Sequence, residues 1–265
     1  MLRAHGVTDQ GSVRASNEDW FAVDEDLQLL VVADGLGGQN AGEIASRLAV
    51  DSLVGFVRES RASTETRPPD AIGHSDERWP FGFDPSLSEA GNRVRTGICL
   101  ANAHILEKSL TADEYSGMGT TLVVALVEGG RLSVGYVGDS RLYLRGADVL
   151  RQLTRDDSWI LAVLDQNPAI DPEVIRQHPM RNALTNVVGA GTGTEVHVLE
   201  EMLTGGELLL LSTDGVHGVL DNSWIDRLLM ETDDLREMAA GLVTAAISGG
   251  SRDNCTAVVA RYSRD

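Results

Sequence analysis

The stretch LLVVADGLGG, residues Leu29 to Gly38, carries the strongest fold signal in this chain. Five apolar residues, Leu29 to Ala33, predict a buried strand that ends at Asp34. The Asp-Gly pair that follows is common in turns, which is one interpretation of Asp34. The other interpretation is that a carboxylate is held at the end of the strand to bind a charged group. The stretch by itself leaves both interpretations open.

The segments around this stretch predict an α+β fold. Glu-Gly-Gly at residues 128–130 predicts a hairpin turn between two strands. Apolar residues at helical spacing predict helices over Ala41–Arg58, Ser88–Lys108 and Leu235–Ile247. Strands mostly follow strands, unlike the alternation of a parallel sheet. The predicted strands are short, rich in Val and Leu, and bounded by Gly, Asp or Asn: Leu27–Ala33, Thr120–Val127, Arg131–Val137, Leu142–Arg145, Val196–Leu199, Glu207–Ser212 and Thr256–Tyr262.

Two stretches interrupt this pattern. Residues Ser60–Pro85 contain four prolines and many charges, which predicts a long surface loop between two helices. Residues 157–193 predict an irregular flap with a short helix around Pro172–Gln177. No internal repeat and no convincing linker divides the chain, so we expect one domain over residues 1–265.

The composition excludes several classes of partner. The chain has 40 Asp and Glu against 22 Lys and Arg, a net charge of −18, which repels nucleic acid and anionic membranes. No apolar run is long enough for a membrane span or a secretory leader. Its two cysteines, Cys99 and Cys255, do not form a disulfide framework. We therefore expect a cytoplasmic protein that collects cations or binds basic partners.

The pattern at Asp34 recurs along the chain. A single such carboxylate is most simply explained as a turn residue. Strand ends in packed sheets lie at a common edge, however, where several carboxylates could converge. Converging carboxylates repel one another unless cations compensate their charge. Oxygen ligands suit Mg²⁺ or Mn²⁺, and no His or Cys cluster favours a softer metal. The other carboxylates beside predicted strands are Glu18, Asp19, Asp139, Asp214 and Asp253.

A pair of such cations suggests phosphoryl chemistry. Two metals about 3.5–4 Å apart can activate a water and hold a phosphoryl group for in-line attack. Arg14 lies four residues before Glu18, and its planar guanidinium suits phosphate oxygens. Taken alone, Arg14 is more simply a solvated surface residue.

Seven motifs give these residues a family resemblance. In order they are GSVRASNED, VVADGLGG, GMGTT, VGDSR, LTRDDS, LLSTDG and SRDN. Between about Gly6 and Tyr262 they resemble the metal-dependent protein phosphatases, the type 2C Ser/Thr phosphatase family, and most of all its compact bacterial branch. The resemblance implies a four-layer αββα sandwich of two antiparallel sheets flanked by helices, with a dimetal site at one edge.

The resemblance also implies a role for each site residue. Asp34 matches the carboxylate that bridges two core Mn²⁺ or Mg²⁺ ions. Asp214 and Asp253 then complete the coordination of one ion. Glu18 and the backbone carbonyl of Gly35 complete the coordination of the other. The remaining matches are Asp19, which binds through water, Asp139, which with Asp214 holds a third and weaker ion in bacterial relatives, and Arg14, the phosphate-binding arginine.

The implied activity is hydrolysis of phosphoserine and phosphothreonine in proteins, without a covalent intermediate, in opposition to a bacterial Ser/Thr kinase. The implied partners are that kinase and its phosphorylated substrates, and we expect a monomer. Position 36 is Leu, where many eukaryotic members have a His proposed as the general acid, so a water on the metal is our candidate acid. Asn186-Val187 stands in the flap where relatives often place a basic residue.

Three alternatives are weighed against this assignment. Cys255 and Arg261 have the Cys-x₅-Arg spacing of cysteine phosphatases, but the residues between them predict a strand and not a phosphate-binding loop. The GAGTG sequence at Gly189–Gly193 precedes a predicted strand, whereas a dinucleotide loop precedes a helix. A catalytically inactive phosphoprotein-binding module would typically lack metal carboxylates, and this chain keeps all that we can place. Hydrolysis of p-nitrophenyl phosphate that requires Mn²⁺ would exclude that module.

Overall fold

The computed structural model describes residues 1–37, 41–65, 79–167, 169–171, 174 and 177–264. Within these ranges the chain forms two antiparallel sheets with helices on their outer faces. In chain order the strands are β1 Leu2–Asp9, β2 Asp19–Asp24, β3 Leu29–Leu36, β4 Gly119–Thr120, β5 Leu122–Glu128, β6 Arg131–Val137, β7 Arg141–Arg145, β8 Leu150–Gln152, β9 His197–Met202, β10 Leu208–Ser212 and β11 Cys255–Tyr262.

The first sheet has the strand order β1-β11-β10-β7-β8, and the second has β2-β3-β5-β6-β9 with β4 paired to β3. The first and last strands of the chain are neighbours, since β1 pairs with β11 from Leu2–Tyr262 to Asp9–Cys255. The helices are α1 Ala41–Glu65, α2 Glu89–Ser109, α3 Trp159–Gln166, α4 Asp214–His217, α5 Asn222–Met230 and α6 Leu235–Ser248, with a 3₁₀ turn at Asp113–Tyr115.

Apolar clusters fill the spaces between four layers. One cluster lies between the second sheet and helices α1 and α2. Another lies between the two sheets, and another lies between the first sheet and helices α4, α5 and α6. The expected four-layer αββα sandwich is therefore confirmed. In the described part of the chain, no helix is both long and apolar enough to cross a bilayer.

Strand β3 is apolar on both faces because it is covered on both sides. Leu29, Val31 and Ala33 pack toward the helices, whereas Leu30 and Val32 pack between the sheets. Successive side chains of a strand point to opposite faces, so Asp34 continues the row of Leu30 and Val32. The residues that make β3 a core strand thus direct Asp34 into one end of the space between the sheets.

The hairpin predicted at residues 128–130 is confirmed. Glu128 pairs with Arg131, and the turn residues Gly129 and Gly130 have φ values of 57° and 81°. Two positive φ angles in succession match a two-residue hairpin turn, which glycine adopts at little steric cost.

The prediction that the strand ends at Asp34 is wrong. Strand β3 continues to Leu36, because Asp34 pairs with Asp19 of β2 and Gly35 pairs with Thr120 of β4. The Asp-Gly sequence therefore lies inside a strand ladder. The turn interpretation of Asp34 fails with it.

The surface loop predicted from Ser60 begins too early. Helix α1 runs seven residues past Arg58 to Glu65. Arg61 holds this extension to the second sheet, since its Nε donates to Glu128 and its Nη1 donates to the carbonyl of Leu27 at 2.9 Å each. Residues 66–78 of the predicted loop lie outside the described residues.

The flap is partly helical, because α3 occupies residues 159–166. Ser158 caps this helix, and the rings of Trp159 and His178 stack with centroids 4.2 Å apart. The helix predicted around Pro172–Gln177 lies largely outside the described residues. Strands β1 and β8 and helices α4 and α5 were not predicted.

Candidate metal centre

The predicted carboxylates lie at or near strand ends, at one end of the sandwich, with Asp34 two residues before the end of β3. Asp19 is the first residue of β2 and lies opposite Asp34 of β3. Residues directly opposite each other on antiparallel strands project to the same face. The others sit just outside their strands: Glu18 before β2, Asp139 between β6 and β7, Asp214 at the start of α4 after β10, and Asp253 before β11.

Asp19 is the most buried of these carboxylates, at 2% exposed. Its Oδ2 accepts hydrogen bonds from Thr213 Oγ1 at 2.9 Å and Thr256 Oγ1 at 2.6 Å, whereas its Oδ1 has no protein partner. Burial, and after it the charges of Asp214 and Asp253, raises the pKa of Asp19 to about 7 against those two hydrogen bonds. A buried anion with one unused oxygen calls for a cation.

Asp34 is positioned through its backbone, and its carboxylate lies within hydrogen-bond range of Asp214. Its N–H donates to Thr121 Oγ1 at 3.0 Å, and its carbonyl accepts from Thr121 N at 2.9 Å and Thr120 Oγ1 at 2.8 Å. Burial raises the pKa of Asp34 well above its usual value, and the charges of Asp19 and Asp214 raise it further. The carboxylates are thus close enough to oppose one another's ionisation.

Burial and neighbouring charges also oppose the ionisation of Asp214 and Asp139. Burial, followed by the charge of Asp253, raises the pKa of Asp214 to about 6. Burial, followed by the charges of Asp214 and Asp156, raises the pKa of Asp139 to about 7. Asp214 also has an oxygen, Oδ1, that is buried without a hydrogen-bond partner.

Glycines let the backbone close in beside Glu18. Gly35 N donates to the carbonyl of Glu18 at 3.1 Å, and a Cβ on Gly35 would lie 2.1 Å from the carbonyl oxygen of Gly42. A Cβ on Gly42 would lie 2.8 Å from Cδ of Glu18. The strand, the first turn of α1 and the Glu18 carboxylate can therefore meet only if both positions are glycine.

Arg14 reaches the same end of the molecule. Its Nη2 lies 2.5 Å from Asp253 Oδ2, and half of its side chain is exposed. Asn254 fixes the segment around it, since its Nδ2 donates to the carbonyls of Gln10 and Ser16 at 2.9 Å each and its Oδ1 accepts from Glu18 N at 2.9 Å. Arg14, which is predicted to bind the phosphate of the substrate, is thus a half-exposed cation beside the carboxylates.

The donor set fits a hard divalent cation. The gathered side chains offer oxygen only, two of them keep buried oxygens without partners, and glycines clear the backbone beside a third. Among the described residues, no three His, Cys, Asp or Glu side chains already enclose one point closely enough to hold an ion. The site brings the predicted residues together, and their individual ligand roles stay predictions.

Sequence reasoning missed the residues that hold the carboxylates. Thr213, Thr256 and Thr121 bond Asp19 and Asp34, and Asn254 ties Glu18 to the start of β11. Three of them lie inside quoted motifs, Thr121 in GMGTT, Thr213 in LLSTDG and Asn254 in SRDN, so their position was a usable signal.

The competing cysteine site is excluded by geometry. Cys255 is fully buried at the start of β11, and its Sγ contacts the carbonyl of Gly215 and the hydroxyl of Ser251 at 3.3 Å. Burial raises the pKa of this thiol. Arg261 lies at the other end of the strand and pairs with Asp233. No phosphate-binding loop joins them, because the residues between them form β11.

Comparison with known proteins agrees with the site. A family model described as Protein phosphatase 2C matches residues 11–243. Serine/threonine protein phosphatase PstP of Mycobacterium tuberculosis is 33% identical over 262 residues, which is 98% of this chain and 45% of the relative. Serine/threonine phosphatase stp of Listeria monocytogenes is 31% identical over 97% of this chain and 95% of its own. The chain therefore spans about half the length of the mycobacterial relative and nearly all of the listerial one.

Solved structures have the same fold. The crystal structure of Mycobacterium tuberculosis PstP/Ppp aligns with a TM-score of 0.81 at 29% identity, covering 99% of both chains. A structure of the PstP catalytic domain in complex with two manganese ions aligns with a TM-score of 0.77 at 28% identity, covering 98% of this chain and 97% of that one. Because the family model matches residues 11–243, which is most of this chain, the chain belongs to the protein phosphatase 2C family.

Proposed function

We propose that this chain is a metal-dependent phosphatase that hydrolyses phosphoserine and phosphothreonine monoesters in proteins. The observation that carries the proposal is the convergence of strand-end carboxylates, with Arg14 beside them, at the motif positions of the family. The names of the relatives support the substrate class, and the PstP complex with manganese supports Mn²⁺ or Mg²⁺ as the cofactor.

The ligand roles follow the sequence prediction. Asp34 would contribute to both core ions, with Asp214 and Asp253 holding one and Glu18 and the carbonyl of Gly35 holding the other. Asp139 and Asp214 would hold a third, weaker ion, and Asp19 would act through water. Bound, these cations neutralise the carboxylates and supply the Lewis acidity that makes water a nucleophile near neutral pH.

The protein's own residues bind and orient the phosphoryl group. Arg14 is half exposed, so its guanidinium can exchange Asp253 for two phosphoryl oxygens of a substrate. Leu36 cannot donate a proton to the leaving serine or threonine oxygen, so the protonating group is not the side chain at that position. Buried Cys255 is no nucleophile, which supports direct attack by water without a covalent intermediate.

The remaining assignments are also proposals. We infer that residues 1–265 form a single catalytic domain, that the protein is a monomer in the cytoplasm, and that it opposes a cognate Ser/Thr kinase and acts on that kinase's substrates. The free thiols of Cys99 and Cys255 support a reducing compartment. The net charge of −18 supports protein substrates over nucleic acid or an anionic membrane.

The test is phosphate release from synthetic phosphoserine and phosphothreonine peptides, with a phosphotyrosine peptide as the control. We expect release that requires Mn²⁺ or Mg²⁺, stops in EDTA and survives alkylation of thiols. Undiminished release in EDTA would overturn the metal-dependent mechanism. Binding of the phosphopeptides without release would instead identify the chain as a binding module.

A further inference from the structure

Asp157 is the first residue of the flap and lies beside the turn that carries Asp139. Its carboxylate Oδ2 accepts two hydrogen bonds, from Gly138 N at 3.0 Å and from Asn186 Nδ2 of the flap at 2.8 Å. Its side chain is only 15% exposed. One carboxylate oxygen thus connects the flap directly to the residue that precedes Asp139.

The backbone of Asp157 repeats this connection. Its N–H donates to the carbonyl of Gly138 at 2.9 Å, and its carbonyl accepts from Thr185 N of the flap at 2.8 Å. Gly138 packs closely against Thr121, because its φ is 97° and a Cβ there would lie 2.7 Å from Cγ2 of Thr121. The turn between β6 and β7 therefore has its orientation set by Asp157 on one side and Thr121 on the other.

The second carboxylate oxygen is also occupied. Asp157 Oδ1 lies 2.9 Å from Nε2 of His197 on β9, and the His197 ring stacks on Tyr136 of β6 with centroids 4.8 Å apart. Asn186 is fixed in turn, since its Nδ2 also donates to the carbonyl of Glu195 at 2.8 Å. Asp157 therefore joins the start of the flap to three other places: Asn186 further along the flap, His197 of the second sheet and the turn at Gly138.

We propose that Asp157 is a positioning residue that makes the placement of Asp139 depend on the docked flap. Release of the flap removes the partner that aligns Gly138, and the Asp139 carboxylate next to it loses its fixed direction. This inference rests on the proposed function, in which Asp139 binds the weaker third ion. Residues that orient metal ligands in this way typically change metal affinity by about 10–100-fold when they are replaced.

The test compares Asp157→Ala with Asp157→Asn. Alanine removes every side-chain contact, whereas asparagine keeps an oxygen for Gly138 and Asn186 and turns its amide toward His197. We expect Asp157→Ala to bind the weaker Mn²⁺ about 10–100-fold less tightly in calorimetry, with the two tighter ions unchanged, and Asp157→Asn to stay near wild type. Trypsin should cleave after the exposed Arg181 of the flap faster in Asp157→Ala than in wild type.

The matched control is Asp226→Asn, which disrupts a carboxylate–cation pair with Arg145 on the first sheet. It should change neither the weaker Mn²⁺ nor cleavage at Arg181. If Asp157→Ala fails to fold, Asn186→Ala serves instead, because it removes the flap amide that holds Asp157 Oδ2 beside Gly138 N. It should weaken the third ion and speed cleavage at Arg181 in the same way.

Two failures are distinguishable. A wild-type protein that binds no Mn²⁺ would overturn the proposed function. A wild-type protein that binds the weaker Mn²⁺ with the same affinity as Asp157→Ala, or as Asn186→Ala where that variant is used, would overturn the role of Asp157 alone.

Discussion

Asp34 and Asp19 face each other on neighbouring strands, at the end of an apolar row that fills the space between the sheets. Burial opposes the ionisation of both carboxylates, and the charge of Asp19 further opposes that of Asp34. The fold accepts two buried carboxylates side by side where Val or Leu would pack. Such a costly arrangement supports a cation-binding role over a structural one.

Replacing Asp34 by Asn tests this role. An Asn side chain presents one oxygen and one NH₂, so it cannot bridge two cations. We expect a folded protein whose turnover falls by at least ~10³-fold, an estimate from the loss of metal-based stabilisation. Steady-state phosphatase assays with circular dichroism measure both properties. Asp24→Asn, at the other end of strand β2, is the control for loss of one charge and should keep its turnover. Wild-type turnover of Asp34→Asn at low Mn²⁺ would contradict the bridging role.

Arg14→Ala separates substrate binding from metal binding. Arg14 contacts Asp253 through one N–H group, and half of its side chain is exposed. We therefore expect a raised KM, with some loss of kcat if the contact tightens in the transition state, and nearly unchanged Mn²⁺ affinity. Arg14→Lys keeps the charge but loses the planar fork, so it should recover only part of the KM. Loss of Mn²⁺ binding in Arg14→Ala, measured by calorimetry, would show that Arg14 supports the ions instead.

The raised pKa of Asp139 predicts how the metal-free protein responds to pH. With a folded pKa of about 7 against 3.8 for the free group, folded Asp139 binds more protons than the unfolded chain between these values. Its contribution to the free energy of unfolding is therefore full below the lower value and falls as pH rises toward 7. In EDTA, Asp139→Asn should become more stable relative to wild type between pH 4 and pH 7, as urea unfolding measures. A difference that stays constant over this window would refute the shifted pKa.

Sequence reasoning could identify the carboxylates but not the groups that hold them. Asp34, Asp139 and Asp214 adjoin apolar strands, which makes them visible along the chain. The hydroxyl partners of Asp19 come from β11 and from the residue after β10, about 200 residues away, and become neighbours only when the sheets stack. Long-range hydrogen bonds of this kind have no local signature.

At the scale of the elements, helix α2 packs on strand β6 through a glycine. A Cβ on Gly135 would lie 2.2 Å from Cγ1 of Val94 and 2.8 Å from Cδ1 of Ile98. Gly135→Ala should therefore separate the helix from the sheet and cost about 1–3 kcal/mol of unfolding free energy. Urea unfolding measures this cost.

Gly55→Ala is the matched control for that substitution. Gly55 lies inside helix α1, and a Cβ there would meet nothing within 4 Å. The same added methyl group should stabilise the protein by about 0.5–1 kcal/mol, because alanine is the better helix former. Equal effects of the two substitutions would contradict the close packing at Gly135.

The strength of the local apolar pattern in the sequence explains which helices and strands could be predicted. Strands β3, β5 and β6 are buried on both faces, so their apolar runs identify them. Strand β1 is half-buried at the edge of its sheet, and its sequence LRAHGVTD has no clear period. Its partner β11 supplies the pairing that defines it. The extension of α1 to Glu65 likewise depends on contacts of Arg61 with distant residues.

At the scale of the whole molecule, negative charge opposes folding in two ways: through the net charge of the chain and through the carboxylates gathered at one end of the sandwich. The net charge of −18 is spread over the chain, and its repulsion weakens the compact state. Six carboxylates are further concentrated at one end of the sandwich. Dissolved salt should screen the repulsion that comes from the net charge. Neutralising the gathered carboxylates should instead require bound cations.

The last prediction separates these two contributions. In EDTA, raising NaCl from about 0.1 M to about 1 M shortens the screening length from about 10 Å to about 3 Å and should raise the melting temperature of wild type and Asp34→Asn alike. Mn²⁺ at about 100 times its dissociation constant should then add about 2.7 kcal/mol per site to wild type even at high NaCl, because binding to the folded state is not screening. Asp34→Asn should lose most of this second gain and keep the first. If Mn²⁺ stabilised both proteins equally at high NaCl, the ions would bind somewhere other than at Asp34.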